Sequence, residues 1–232
     1  SSTASGAAVK SYAVDAGMRA VNDHYRRTGL PAEARQGPVE GCFYTGVYTL
    51  AEKPPVSVII PNKDHVRDLD TCLRSLYERC TYGRLEVLVM ENNSTDPATF
   101  HYYQDAEARY PGLRVVRYEG PFNFSAINNL GAARASGEYL LLLNNDIEAE
   151  TPDFLERMMA YAVQPDVGAV GARLLYPDRT VQHAGILVGF RGVAGHLFAG
   201  LPEKQPGYMG RAVATMEVSA VTAACLLVRR SV

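Results

Sequence analysis

The sequence predicts an α/β protein built on a mostly parallel sheet flanked by helices, and three observations carry that reading. From residue 56 onward, short apolar runs alternate with amphipathic segments, the order that successive βα steps impose. The run YLLLL at 139–143 is apolar without interruption, which suits a strand covered on both faces. The apolar runs also end in polar clusters, at 62–64, 91–93 and 144–146.

Composition narrows the possibilities. A length of 232 residues allows one large domain with a sizeable core, or such a domain with a small appendage. Hydrophobic residues at 47% and charged residues at 21% match ordinary soluble domains and exclude wholesale disorder. A net charge of -2 gives no electrostatic reason to expect nucleic acid as a partner. Cys42, Cys72, Cys80 and Cys225 show neither CxxC spacing nor a paired framework, which predicts free thiols in a reducing, cytoplasmic compartment. No apolar run approaches the roughly 18 residues of a spanning helix, and the first residues lack the progression of a signal peptide.

Residues 1–52 are expected to form a small N-terminal α+β accessory module with a linker. After a polar start expected to fray, Val14, Met18, Val21 and Tyr25 recur at four, three and four residues. That spacing predicts one amphipathic helix of about four turns, stopped by Gly29 and Pro31. Short strands are expected at 32–36 and 42–50, and Ala-Glu-Lys-Pro-Pro at 51–55 reads as the linker.

Residues 53–232 are predicted to be the main domain. Its first strand is expected at 56–60, broken by Pro61 and Asn62, with Asp64 capping a helix whose buried stripe is Val66, Leu69, Leu73 and Leu76. A second strand at 85–90 leads to Asp96-Pro97, a cap followed by the proline of a first helical turn. A third strand at 113–118 precedes a helix starting at Asn123 or Ser125, carrying Ile127, Leu130 and Ala133 and stopping at Gly137. After the strand at 139–143, Thr151 and Pro152 are expected to open a helix with Leu155, Met158 and Met159 on its apolar face. A hairpin is expected around Pro177-Asp178, and a last apolar stretch at 218–228.

In a parallel sheet the three polar clusters share the edge at which ligands of such sheets bind. Asn144 and Asp146 stand two apart, so in extended backbone their side chains leave on one side. An amide oxygen and a carboxylate then suit Mg²⁺ or Mn²⁺ holding a diphosphate. The competing reading of Asn-Asn-Asp is a turn. Glu91 can accept from a nucleobase N–H or a ribose hydroxyl, and Asn129 and Gly131 can approach the same ligand. Pro61-Asn62-Lys63-Asp64 lacks the glycines of a dinucleotide fingerprint, which argues against a dehydrogenase and against nucleotide-sugar synthesis. His183 and His196 have no metal-ligand spacing and are expected to be structural or cleft-lining, while Arg229 and Arg230 read as a solvated strand end.

Four segments in register with the βα order, VSVIIPNKD at 56–64, ENNSTD at 91–96, NLG with ASGE at 129–138, and LNND at 143–146, resemble the signatures of family 2 glycosyltransferases, especially the bacterial polysaccharide and O-antigen branch. VQHAG at 181–185 and GVAGH at 192–196 resemble that branch too. The resemblance covers roughly 53–232. It implies a GT-A-like nucleotide-diphospho-sugar transferase fold, inversion at the anomeric carbon, and Mn²⁺ or Mg²⁺ as cofactor. Among site residues it implies Pro61, Asn62, Asp64, Glu91, Asn93, Asn129, Gly131, Asn144 and Asn145 for the nucleotide-sugar, with Asp146 and Asn144 for the metal. Two departures stand out: Glu91 where Asp is commoner, and Asn144 in place of the first carboxylate of an Asp-x-Asp. The implied partners are a nucleotide-diphospho-sugar donor of hexosyl or deoxyhexosyl type and a glycan or lipid-linked glycan acceptor. The implied setting is the inner face of a bacterial membrane. The family's general base is expected beyond Val232, which marks the domain as cut short at its C-terminus. The alternative is a catalytically silent module that binds nucleotide-sugar or glycan within a larger assembly.

Overall fold

The structure, a computed structural model, describes residues 11–37, 44–83 and 85–232. The chain divides into two compact units, one of residues 1–49 with 173–221 and one of 50–172 with 222–232.

The first unit opens with α1 (Ser11–Thr28), followed by the antiparallel pair β1 (Ala32–Gln36) and β2 (Tyr44–Tyr48). The helix runs five turns, one more than the apolar spacing predicts, and Val14, Met18, Val21 and Tyr25 lie on its less exposed face. Asn22 pins helix to hairpin: its Oδ1 accepts from Ala34 N–H at 2.7 Å and its Nδ2 donates to Ala34 O at 3.4 Å. Cys42, and with it the start of the strand expected at 42–50, lies outside the described residues.

The second unit is the α/β body. Its elements follow as β3 (Val56–Asn62), α2 (Val66–Arg74), β4 (Leu85–Glu91), α3 (Pro97–Arg109), β5 (Leu113–Arg117), α4 (Phe124–Arg134), β6 (Tyr139–Leu143), α5 (Phe154–Ala162) and β7 (Ala169–Gly171). The intervening residues 173–221, in the first unit, carry β8 (Leu174–Leu175), β9 (Val181–His183), β10 (Ile186–Val188) and β11 (Ala194–His196). The chain then returns with β12 (Cys225–Arg229). One six-stranded sheet results, in the order β5-β4-β3-β6-β12-β7, parallel except that β12 runs against both neighbours. Within it β3 is the most deeply buried strand, with residues 56 and 58–60 at 0% exposure. Ile59, Leu88, Met90, Ile127, Ala135 and Leu140 form one core cluster. A Cβ on Gly131 would come within 2.5 Å of Ile59 Cγ2, so this glycine lets α4 settle on the sheet.

Three local expectations are corrected. Pro61 and Asn62 continue β3 instead of breaking it, pairing with Met90 and Glu91. Pairing with β6 ends at Ile59 with Leu142, so the N–H that Pro61 lacks has no ladder to join on that side. Asp64 does not cap α2: Asp64 (φ 54°) and His65 (φ 49°) are both left-handed, His65 takes the cap position, and no side chain caps the helix. Arg229 is not a solvated end, being half-buried, whereas Arg230 is exposed as expected but also tethered. Arg229 reaches Ala162 O (3.2 Å) and Gln164 O (3.3 Å) at the close of α5, and Arg230 reaches Ala135 O at 2.5 Å.

Other expectations hold. Asp96 caps α3 through Ala98 N–H at 2.9 Å with Pro97 in the first turn, and Asn123 caps α4 through Ala126 N–H at 3.0 Å. The α4 helix ends at Arg134, three residues before Gly137. Cys72, Cys80 and Cys225 are free thiols. Among the described residues no helix is long and apolar enough to cross a membrane.

Candidate functional site

Because β3, β4 and β6 are parallel and in register, their C-terminal ends bring Asn62, Glu91 and the turn after Leu143 to one sheet edge. Tyr103, on the buried face of α3, joins the first two. Its hydroxyl donates to Glu91 Oε2 at 2.6 Å and accepts from Asn62 Nδ2 at 2.8 Å. Asn62 Oδ1 in turn accepts from Asn145 Nδ2 at 2.6 Å, which ties β3 to the turn after β6. On the other side, Ser94 donates to Glu91 twice, from its N–H to Oε1 and from its hydroxyl to Oε2, each at 2.6 Å. The Ser94 hydroxyl oxygen accepts from Asp64 N–H at 2.8 Å. A continuous hydrogen-bonded run therefore links Asn145, Asn62, Tyr103, Glu91, Ser94 and Asp64.

Burial explains why this run is complete. Asn62 and Glu91 are each only 3% exposed, and an amide or carboxylate at that depth costs several kcal/mol unless its oxygens find donors. Desolvation, then the bond to Glu91, pushes the Tyr103 phenol above its ordinary range, which keeps it a donor. Asp64 has a different task from the predicted one. Its Oδ1 accepts from Asp96 N–H (3.0 Å) and Thr95 N–H (2.9 Å), and these backbone bonds hold its carboxyl below the usual range. Asn92 and Asn93 donate to Gly120 O at 3.0 and 2.9 Å, fastening the loop after β4 to the one after β5.

The segment 144–146 is a turn. Ile147 N–H donates to Asn144 O at 3.3 Å, so the extended alternation that would set Asn144 and Asp146 side by side does not persist past Leu143. Among the described residues, the Asp146 carboxylate and the Asn144 amide group engage no hydrogen bond or ion pair, and Asp146 is exposed. No cluster of three His, Cys, Asp or Glu side chains able to hold a metal occurs among those residues. One uncommitted carboxylate and one uncommitted amide in the same turn make no cage that binds metal alone; their chemistry suits a cation that arrives with phosphate oxygens, the usual mode for Mg²⁺.

On α4, Asn129 is exposed, while Gly131 faces Ile59 and serves packing. Pro61 is half-buried in β3. Next to Asn129, Asn128 is 5% exposed: its Nδ2 donates to Phe124 O at 2.8 Å and its Oδ1 has no protein partner. Sequence reasoning passed over Asn128 and Tyr103. For Tyr103 a signal existed, because Thr99, Tyr103 and Ala106 recur at helical spacing and a tyrosine on a buried face needs a partner for its hydroxyl.

In the other unit, His183 and His196 meet Nδ1 to Nδ1 at 2.9 Å. Gly185 N–H donates to His183 Nε2 at 3.3 Å, so the His183 proton sits on Nδ1 and points at His196. Burial, then His196, lowers the His183 pKa to about 4. The pair thus braces β9 against β11.

A parallel sheet whose strand ends carry this constellation meets its match in sequence: residues 57–232 fit the profile of Glycosyl transferase family 2. The chain belongs to that family. It is 42% identical over 222 residues to the O-antigen biosynthesis protein RfbC of Myxococcus xanthus, covering 95% of this chain and 17% of that protein. It is 40% identical over 224 residues to the uncharacterized protein y4gI of Sinorhizobium fredii (strain NBRC 101917 / NGR234), covering 96% and 24%. This family 2 chain therefore spans a quarter or less of the curated relatives it matches. Among solved structures it resembles the mannosyltransferase PcManGT from Pyrobaculum calidifontis in complex with GDP-Man and Mn²⁺, with a TM-score of 0.50 and 21% identity over 74% of this chain and 47% of that one. That likeness shows the fold, the GT-A-like arrangement expected from the sequence.

Proposed function

We propose that this family 2 glycosyltransferase chain binds a nucleotide-diphospho-sugar at the C-terminal ends of β3, β4 and β6, and serves inverting transfer to a glycan in the synthesis of a cell-surface polysaccharide of O-antigen type. The observation that carries the reading is the hydrogen-bonded run from Asn145 through Asn62, Tyr103 and Glu91 to Asp64, which fixes three strand ends as one rigid edge. Membership of the family supports transfer, and the relationship to RfbC supports the polysaccharide setting.

In this reading the edge divides its labour. Glu91 Oε1 holds one donor against two on Oε2, which leaves it a lone pair for a base N–H. Asn93 and Asn129, both exposed, offer amides to the nucleotide, and Pro61 forms part of its wall. Asn62, Asp64 and Asn145 hold the loops that carry these groups, and Gly131 brings α4 close enough to present Asn129. Asp146 and Asn144 would hold Mn²⁺ or Mg²⁺ together with the diphosphate. The cation supplies neutralisation of charge on the departing diphosphate.

Calorimetric titration with UDP, dTDP and GDP, with and without Mn²⁺, tests this. At least one should bind, and more tightly with the metal. Absence of binding by all three would remove the donor site.

A further inference from the structure

Residues 173–221 contain a second site whose chemistry differs from that of the strand ends. A cleft of about 530 Å³ opens there, within the range of about 300–1,000 Å³ usual for small-molecule sites. Phe198, Met216 and Tyr208 contribute apolar and aromatic wall, and Arg211, Glu217 and Ser219 contribute polar groups. We infer that this cleft binds a neutral saccharide, one or two sugar units of the acceptor glycan. The inference rests on the glycosyltransferase reading above and assigns the acceptor a place and a chemical class.

The charges choose the class. The Arg211 guanidinium and the Glu217 carboxylate are both exposed and line the same cleft, and neither engages a hydrogen bond or ion pair with another described side chain. A phosphate or carboxylate ligand drawn to Arg211 meets the repulsion of Glu217, and an ammonium ligand meets the reverse. A neutral polyhydroxylated ligand satisfies both, because a sugar hydroxyl accepts from guanidinium N–H groups and donates to a carboxylate. The aromatic rings add flat apolar faces for the C–H face of a pyranose.

The walls are also built. Phe198 in the wall (φ 59°), and Met209 next to the wall residue Tyr208 (φ 53°), occupy the left-handed region, a costly conformation for a residue with a Cβ, and such strain concentrates where a side chain must be aimed. A Cβ on Gly207 (φ 65°) would lie 2.9 Å from Phe198 Cε1, so the glycine allows the chain to close on that ring. A Cβ on Gly185 (φ 103°) would lie 2.6 Å from Val218 Cγ1, and Ile186 N–H donates to Ala220 O at 2.9 Å. These contacts lock the wall bearing Glu217 and Ser219 to the strand beginning at Ile186.

The test is an NMR shift titration of the 232-residue chain with methyl glycosides of rhamnose, mannose, galactose and N-acetylglucosamine and with disaccharides built from them. UDP, dTDP and GDP with Mn²⁺ are titrated in parallel. At least one neutral glycoside should bind and move amide signals within 197–219. Glu217→Gln and Arg211→Met, both at exposed positions that leave the core alone, should each weaken that binding at least tenfold and leave nucleotide affinity unchanged. If a nucleotide binds and no glycoside does, the cleft assignment falls while the donor site stands. Glycosides that bind without any nucleotide would uphold the cleft and remove the donor site. Equal glycoside affinity in parent and both variants would overturn the assignment.

Discussion

Glu91 and Asp146 are both carboxylates at the C-terminal edge of one parallel sheet, yet their surroundings are opposite. Glu91 is 3% exposed and takes three donors from Ser94 and Tyr103. Asp146 is exposed and, among the described residues, engages no hydrogen bond or ion pair. The first has most of its capacity committed to the fold, and the second is free to meet a ligand. A polar residue at a strand end is thus not one kind of thing: burial turns it into architecture, and exposure keeps it available.

The comparison predicts a steep order of effects on stability. Glu91→Ala should cost about 3–5 kcal/mol, because it strands a buried phenol and a half-buried hydroxyl and N–H that shared one acceptor. Urea denaturation measures it, and a loss under 1 kcal/mol would show that Glu91 is as free as Asp146. Tyr103→Phe keeps the ring and removes only the shared hydroxyl, so about 1–2 kcal/mol is expected in the same experiment. Its nucleotide affinity should also fall, since Glu91 and Asn62 lose their common partner.

Acid sharpens the contrast among the bonded carboxylates. Burial alone would raise the Glu86 pKa, but bonds from Ser136 N–H, the Ser57 hydroxyl and the Arg114 guanidinium outweigh it and bring the value down to about 2 from 4.5. Asp64 is lowered from 3.8 by the Asp96 and Thr95 N–H groups. In both cases the unfolded chain takes up the proton first as pH falls. Their stabilisation should be complete above about pH 4.5; that of Glu86 should disappear as the pH drops toward 2, and that of Asp64 should be lost as the pH falls below 3.8. Denaturation midpoints across that window should decline less in Glu86→Gln and in Asp64→Asn than in the parent. Parallel curves would detach these bonds from stability.

Much of this was legible in the residues. Apolar runs and caps placed the main strands and helices, because a buried parallel strand and a capped helix each leave a local pattern: the unbroken 139–143 run and Asp96-Pro97 match β6 and the start of α3. The strand ends were legible as a group for the same reason. What sequence could not supply was how polar groups would pair. Asp64 sits one residue before a helix cap, and only the left-handed turn at 64–65 sends its carboxylate to Thr95 and Asp96 instead. Asn144 and Asp146 share a face only in extended backbone, and the Asn144 to Ile147 bond ends that geometry. The split of 173–221 from the sheet before β12 returns is likewise a matter of distant contacts.

The smallest effect on stability should come from Asp146→Ala. An exposed turn carboxylate without a partner supports no buried donor, so the denaturation midpoint should stay within about 0.5 kcal/mol of the parent. Its effect on ligand binding should be the reverse. In the parent, Mn²⁺ alone should bind weakly, because Asp146 and Asn144 offer one charged and one neutral oxygen and a divalent cation needs the phosphates to complete its shell. With a nucleoside diphosphate present, the metal should raise affinity for the parent and have no effect on Asp146→Ala. Restoring a second carboxylate, Asn144→Asp, should raise affinity for Mn²⁺ itself, since another charged oxygen enters the same turn. Calorimetry on the three proteins, with metal and nucleotide titrated separately and together, reads all of these. Retained metal enhancement in Asp146→Ala would assign the cation to other oxygens and leave this turn as the ordinary Asn-Asn-Asp turn that its backbone describes.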